Sequence, residues 1–467
     1  MSFQMRNIKK LWMLVLVPAS LFLLTCTQPA PIRTARVNDA FSKEELRHRT
    51  FNYFWERADS TNYQIPDRWP GGSFSSIAAT GFGLSSYLVG IERGYITRAE
   101  GAARTLRTLE ILTNLSKGEA TTGVAGYKGF FYHFLTYDTA TRFKQVELST
   151  IDTALLMAGI LSSMSYFDRD GETETRIREL ADALYRAVEW DWALNDDGRI
   201  SMGWHPESGF IPYDWNGYNE AMILLVLALG SPTHPVPNGS WEKWTEGYDY
   251  ATYNGQEHLH FAPLFGHQYS HLYIDFRNIQ DDYMRARNSN YFENSRLATL
   301  ANRNYCIENP HGYRDYGPKI WGLTACDGPA TGETGDYTHE ERPFRGYSAR
   351  GPANQPHSFD DGTIAPTAAG GSIMFTPEES LTALEHMWNI YGSDLVGEYG
   401  FRDAFNPTYR KGPGNEHGWF DSDYLGIDQG PILLSLENHE SGLIWHLMMQ
   451  NPYVRRGLER AGFRDRS

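Results

Sequence analysis

The sequence predicts an all-α protein: an (α/α)6 toroid, a ring of six inner helices surrounded by six outer ones. Three observations predict it. Apolar residues recur at helical spacing in one segment after another, with very little strand alternation. The segments alternate between helices that are apolar nearly all round and helices with a one-sided apolar stripe. No linker-like or low-complexity stretch breaks the chain between residues 41 and 467, so one large catalytic-size domain is expected across 41–467.

The elements follow in order. "SKEELRHRTFNYFWERA" opens on Ser42, with Glu45 three residues on completing a capping box. Residues 77–90, 149–167, 219–230 and 430–436 are apolar nearly all round and read as inner helices. Residues 97–114 and 171–194 carry many charges beside one apolar stripe, as outer helices do. Further helices are expected at 275–287, 294–308, 377–391, 429–437 and 441–449. A long loop, 309–371, is rich in glycine but holds Trp321, Tyr347 and Phe359, and a loop of that length in a compact domain is usually functional. Rings of this type place their ligand site at the end where the inner helices begin.

Carboxylates stand at three of those beginnings. In "DWNGYNEAMILLVLALG" the acid Glu220 precedes a wholly apolar run, with Trp215, Tyr218 and Asn219 gathered beside it. An acid there favours the helix dipole, and capping is one reading of Glu220. The other is a catalytic acid at the mouth of the ring, which requires burial or a neighbouring charge to oppose the dipole and raise its pKa. In "VELSTIDTALLMAGIL" Ser149 and Asp152 form a capping-box pattern. Glu147 and Asp152 nevertheless sit at the start of an inner helix, as Glu220 does. Two or three carboxylates on one rim is what glycoside hydrolysis needs, an acid for the leaving oxygen and a base or nucleophile opposite. Asp428, in "YLGIDQGPILL", along with Glu416, Asp421 and Asp423, is a candidate for loop structure or sugar hydrogen bonding.

Composition narrows the partners. A formal charge of −15 argues against nucleic acid or an anionic membrane surface, whereas 13 Trp and 28 Tyr suit a ligand that stacks on flat rings. There is no phosphate loop, dinucleotide fingerprint or nucleophile elbow, so no cofactor is expected. His258, His260, His267 and His271 lie close in sequence without a metal-binding pattern, and no metal is expected. At the N-terminus Arg6, Lys9 and Lys10 precede the apolar run "LWMLVLVPASLFLLT", which ends in "LLTC". Residues 1–26 are therefore expected to be a lipoprotein signal peptide with Cys26 as the lipidated residue, followed by a tether over 27–40. The expected location is the bacterial envelope, periplasmic or cell-surface, with membrane contact only through the lipid and a monomeric body. The remaining Cys306 and Cys326 are expected to be free and buried.

Five blocks carry a resemblance: "GYKGFFYHF", "VELSTIDTALLMAGIL", "YNEAMILLVLALGSPTHP", "DDGTIAPTAAGGS" and "YLGIDQGPILLSLENHESGLIW". Together they resemble the glycoamylase-like family, including glycoside hydrolase family 144, over residues 41–463. The resemblance implies an (α/α)6 fold, a β-1,2-glucan substrate, short sophorooligosaccharide products and inversion at the anomeric carbon. It implies Glu220 as proton donor and puts Glu147 and Asp152 on the opposite wall, leaving open which of them activates water. Trp215, Tyr218, Asn219, Trp321, Asp360, Asp361 and Asp428 are the candidate substrate-binding residues. The rival readings are a glucosidase acting on α-glucan and a non-catalytic glycan-binding lipoprotein.

Overall fold

The computed structural model describes residues 40–330, 337–339, 342–410 and 414–466. The expected signal peptide, Cys26 and the tether up to residue 39 lie outside the described residues.

Helix follows helix: α1 (Lys43–Arg57), α2 (Ile77–Glu92), α3 (Arg98–Asn114), α4 (Thr150–Tyr166), α5 (Glu172–Arg186), α6 (Met222–Gly230), α7 (Ser240–Thr245), α8 (Phe265–Gln268), α9 (Asp282–Ala286), α10 (Tyr291–Glu308), α11 (Pro366–Gly370), α12 (Pro377–Leu395), α13 (Gly426–Glu440), α14 (Leu443–Gln450) and α15 (Pro452–Arg460). The fold is the (α/α)6 toroid. Its inner wall runs α2, α4, α6, the 265–272 segment, α11 and α13, and α13 packs back on α2 to close the ring.

Local chemistry explains where the helices begin. Ser42 accepts the Glu45 N–H, Ser149 accepts the Asp152 N–H, and Thr97 with Glu100 forms a complete capping box. The inner helices are buried on all sides; every residue of α6 is buried. The outer α5 buries one stripe of Ile177, Leu180, Ala181 and Leu184. Inner helices approach closely because glycine lets them. A Cβ on Gly159 would stand 2.1 Å from the Gly81 carbonyl oxygen, and one on Gly81 would stand 2.4 Å from that of Leu155. At the α6–α15 crossing, a Cβ on Gly457 would lie 2.0 Å from the Val226 carbonyl oxygen. Any larger residue at these positions would force the helices apart.

The structure departs from the sequence expectation in several places. The stretch 309–371, expected as loop, ends in α11 (Pro366–Gly370), a helix of five residues and too short for periodicity to show. Of the helix expected over 275–287 only α9 is helical, because Ile279–Gln280 pairs as a strand with Arg464–Asp465. The helix expected over 171–194 ends at Arg186, followed by a single 3-10 turn at Trp190–Ala193. Strand is also more frequent than expected. Gly126–Tyr127, Phe130–Tyr132, Leu148–Ser149, Gly203–His205 and Gly209–Phe210 form a five-stranded antiparallel sheet at the entrance to α4. These strands are two or three residues long, too short for alternation to register. Cys306 and Cys326 are free and buried, as expected. No helix among the described residues is long and apolar enough to cross a membrane.

Candidate active site

Two adjoining cavities open where inner helices begin. The smaller, about 160 Å³, is bounded by Asp152, Leu155, Glu220, Phe265, Tyr269 and Ala325. The larger, about 650 Å³, is bounded by Asp67, Arg68, Phe74, Phe134, Asp327 and Leu425. His133, Tyr347 and Ile427 line both. Asp152 comes from the first turn of α4 and Ile427 from that of α13, while Glu220 stands in the turn just before α6.

Glu220 does not cap its helix. The N–H of Ile223 is taken by Ser270 Oγ (2.9 Å), whose hydroxyl donates to the Glu220 carbonyl (2.9 Å), and Asn219 Oδ1 takes the Ala221 N–H (3.1 Å). The Glu220 side chain is left facing the small cavity, and its buried Oε2 has no hydrogen-bond partner. Burial raises its pKa to about 7, against the lowering effect of its own backbone N–H, with the nearby Asp152 charge adding to the rise. Desolvation and a second carboxylate thus outweigh the helix terminus.

Across the same cavity the chemistry reverses. His133 ends the strand Phe130–Tyr132 and stacks on Phe134, with ring centroids 3.9 Å apart. Its Nδ1 lies 2.7 Å from Glu147 Oε1 and its Nε2 3.6 Å from Asp152 Oδ2. Burial alone would depress the imidazole, but Asp152 and Glu147 overcome it and raise the pKa to about 9, so His133 is a cation at neutral pH. Burial likewise pushes Glu147 up, but the hydrogen bond and charge of His133 leave it below the ordinary value. Asp152 is raised by burial, opposed by His133 and by the Ser149 hydroxyl that donates to its Oδ2. Ser149 caps α4 through the Asp152 N–H, but the Asp152 carboxylate takes the Ser149 hydroxyl and not the Ser149 backbone N–H. The expected capping box is therefore only half formed, and the carboxylate is free to face the cavity.

Several of the residues expected to bind substrate turn inward instead. Trp215 is buried and donates Nε1–H to Thr150 Oγ1 (2.9 Å). The Tyr218 hydroxyl meets Ser295 Oγ (3.0 Å), and Asn219 Oδ1 also receives Trp244 Nε1–H (3.3 Å). These three hold the turn that aims Glu220, because the aromatic rings lose more by facing water than they would gain at a rim. Trp321 is 0 % exposed in a core with Tyr305, Leu323 and Ala368, out of reach of a ligand. Asp360 accepts the hydroxyls of Tyr305 (3.0 Å) and Tyr316 (2.8 Å), and Asp361 makes a two-pronged bond with the fully buried Arg350 (2.8 and 2.9 Å). Both pin the 309–371 loop and neither lines a cavity. Asp428 is buried against Asp403, away from the cavity surface.

Asp403 and Asp428 belong to a group of carboxylates under the larger cavity. One oxygen from each of Asp327, Asp403 and Asp421 lies within 4.8 Å of the others, the one such set among the described residues that could hold a metal ion. Arg68 bonds Asp327 (2.7 Å) and Asp67 (3.2 Å) at its edge. Burial and mutual repulsion push Asp403 and Asp421 well up.

The site was partly visible beforehand. His133 stands inside "GYKGFFYHF", where a polar residue ending an aromatic strand was the signal. Arg68 and Asp403 carried none, while Asp327 and Tyr347 lie in the 309–371 loop, whose length marked it as functional without singling either of them out.

Relatives agree with this architecture. The sequence model of the glycoamylase family, described as "Putative glucoamylase", matches residues 212–452, just over half of the chain. The chain belongs to the glycoamylase family. It is 31 % identical over 469 aligned residues to an exo-β-1,2-glucooligosaccharide sophorohydrolase (non-reducing end) of Parabacteroides distasonis. That match covers 93 % of this chain, which spans 59 % of the relative's length. Among solved structures, a putative glucoamylase from Bacteroides uniformis superposes with TM-score 0.78 at 34 % identity, covering 91 % of this chain and 99 % of the other. An endo-β-1,2-glucanase from Chitinophaga pinensis, solved with sophorotriose and glucose, gives TM-score 0.77 at 31 % identity, with coverage of 91 % and 99 %.

Proposed function

We propose that the protein is an inverting glycoside hydrolase that cleaves β-1,2-glucan to short sophorooligosaccharides, with Glu220 as proton donor. One observation carries the reading. A carboxyl with an unpartnered oxygen sits in a cavity at a pKa of about 7, beside carboxylates neutralised by a histidinium. A general acid must hold its proton at working pH, while the group that activates water must have lost its own.

Glu220 delivers its proton to the glycosidic oxygen as the bond to the anomeric carbon breaks. Asp152, which shares the cavity with Glu220, takes the proton from the attacking water. Glu147, whose carboxylate is held by His133, is a positioning residue that keeps the imidazolium charged beside Asp152. The two relatives named for β-1,2-glucan chemistry support the substrate. The basic and apolar N-terminal run ending at Cys26 supports attachment to the bacterial envelope by a lipid.

The test is to incubate the protein with linear β-1,2-glucan, soluble starch and a uronate polymer, following reducing ends and the anomeric configuration of the first product. Release from β-1,2-glucan of a product with inverted configuration is expected. Release from starch alone would replace the substrate. Binding of β-1,2-glucan without turnover would make this a glycan-binding protein.

A further inference from the structure

We propose that Asp327, Asp403 and Asp421 bind a divalent cation of calcium size beneath the larger cavity. The site comes from three separate loops, close to residues 327, 403 and 421, which reach one point only in the folded chain.

Spacing is the first argument. One oxygen from each of the three carboxylates lies within 4.8 Å of the other two. Oxygens bound to a common Ca²⁺ at about 2.3–2.6 Å are at most about 5 Å apart, so all three can reach one ion without rearrangement.

Orphaned oxygens are the second, independent argument. Asp403 uses one oxygen to accept the Asp327 N–H (2.7 Å), and Asp421 uses one to accept the N–H groups of Ser422 (2.6 Å) and Asp423 (3.2 Å). Asp421 Oδ2 is buried with no hydrogen-bond partner. Asp403 Oδ1 and Asp428 Oδ2 are likewise buried without a donor, and those two carboxyls face each other closely enough to share a proton when no cation is bound. The side chains concerned are at least nine-tenths buried, at 1 % exposure for Asp403, 9 % for Asp421 and 4 % for Asp428. Backbone amides thus orient each carboxylate while leaving its second oxygen bare. Buried anionic oxygens without partners are costly, and a cation removes that cost for several at once.

Charge is the third. The neighbourhood also contains Asp67 and Asp423, and the cation seen against these carboxylates is Arg68, which is turned to Asp327, Asp67 and Asp423 on the cavity side. No ion pair joins a basic side chain to Asp403, Asp421 or Asp428 among the described residues. An all-oxygen set of hard carboxylates without histidine or thiolate suits Ca²⁺, or Mg²⁺ and Mn²⁺ at lower fit, rather than zinc. Asp428 can orient a water that completes the shell. The ion would tie the loops bearing Asp327, Asp403 and Asp421 together under the cavity floor. This inference does not depend on the substrate, and its test reads metal binding directly.

The experiment strips the protein with EDTA, then measures equilibrium dialysis against CaCl₂ and thermal unfolding with and without about 1 mM Ca²⁺, the range in which extracellular calcium modules work. Retention of about one Ca²⁺ per chain and a rise in Tm of roughly 5 °C are expected. Both should vanish in Asp421→Asn and in Asp403→Asn, while Glu220→Gln should retain them. If the stripped wild-type protein takes up no Ca²⁺, Mg²⁺ or Mn²⁺ and its Tm ignores EDTA, the carboxylates share protons instead and the proposal fails. It fails equally if Asp403→Asn loses hydrolysis while keeping wild-type Ca²⁺ uptake, since the cluster would then be catalytic.

Discussion

Glu220, which lines the small cavity, and Glu147, which stands behind the cavity-lining His133, are the same side chain, and their surroundings drive them apart. Glu220 is walled by Leu155, Phe265 and Tyr269 and has no cation in contact, so burial holds its proton up to about pH 7. Glu147 is also partly buried, but the His133 imidazolium 2.7 Å away leaves it ionised. Identical chemistry thus yields one neutral acid and one anion. What separates them is a single histidine delivered by a neighbouring strand.

The largest effect expected from breaking this contrast is at its neutral side. Glu220→Gln should lower kcat on β-1,2-glucan by about 10³-fold or more, with KM little changed and the fold intact. Stability supplies an independent check. The carboxyl has its pKa raised from 4.5 to about 7 on folding, so the folded state binds more protons than the unfolded one in between. Glu220 therefore contributes stability below pH 4.5 that is lost as pH rises through about 7. The loss is at most about 3 kcal/mol, less wherever cavity water reaches the carboxyl. Glu220→Gln should melt at or above the wild-type temperature at pH 8 and gain nothing at pH 4; a mutant that is less stable at pH 8 would return Glu220 to a structural role.

Next comes the charged side. Asp152→Asn keeps the α4 cap but removes the anion, and should cost about 10²-fold to 10³-fold in kcat. If Glu147→Gln costs more than Asp152→Asn, the two exchange roles.

Removing the histidine tests the contrast itself. Without the imidazolium, Glu147 and Asp152 both rise in pKa, so His133→Gln should move the acid limb of the kcat/KM profile to higher pH and lower its maximum about 10-fold. The basic limb, governed by Glu220 near pH 7, should stay in place. A basic limb that moves with His133 would mean the histidine, not Glu220, is the acid.

The smallest effect is expected behind the turn. Trp215→Phe removes the hydrogen bond to Thr150 and should cost about 1 kcal/mol of stability. Activity should fall only a few-fold, measured by chemical unfolding and initial rates. A loss as deep as that of Glu220→Gln would put the indole against substrate.

These comparisons show how much was legible beforehand. The runs 77–90, 149–167, 219–230 and 430–436, which became α2, α4, α6 and the middle of α13, are visible as nearly all-apolar stretches, because a helix buried on all sides has no polar face to write into its sequence. The carboxylates at the starts of α4 and α6 are visible for the same reason, as lone charges before such runs. Invisible were the inward turn of Trp215, Tyr218 and Asn219, the burial of Trp321, and the structural duty of Asp360 and Asp361. Each depends on a partner far along the chain, such as Ser295, Trp244 or Arg350.

By itself, then, the sequence determined the helical class, four of the inner helices and the end at which the acids gather, since periodicity and lone charges are local properties. The short 265–272 segment and α11, which complete the inner wall, were too brief for periodicity to mark. Only the tertiary structure decided which acids face the cleft, which keep a proton, and which are brought together in one carboxylate cluster. Protonation and pairing are set by distance and burial among residues such as His133, Glu220, Asp327 and Asp403, which are neighbours in space and strangers in sequence.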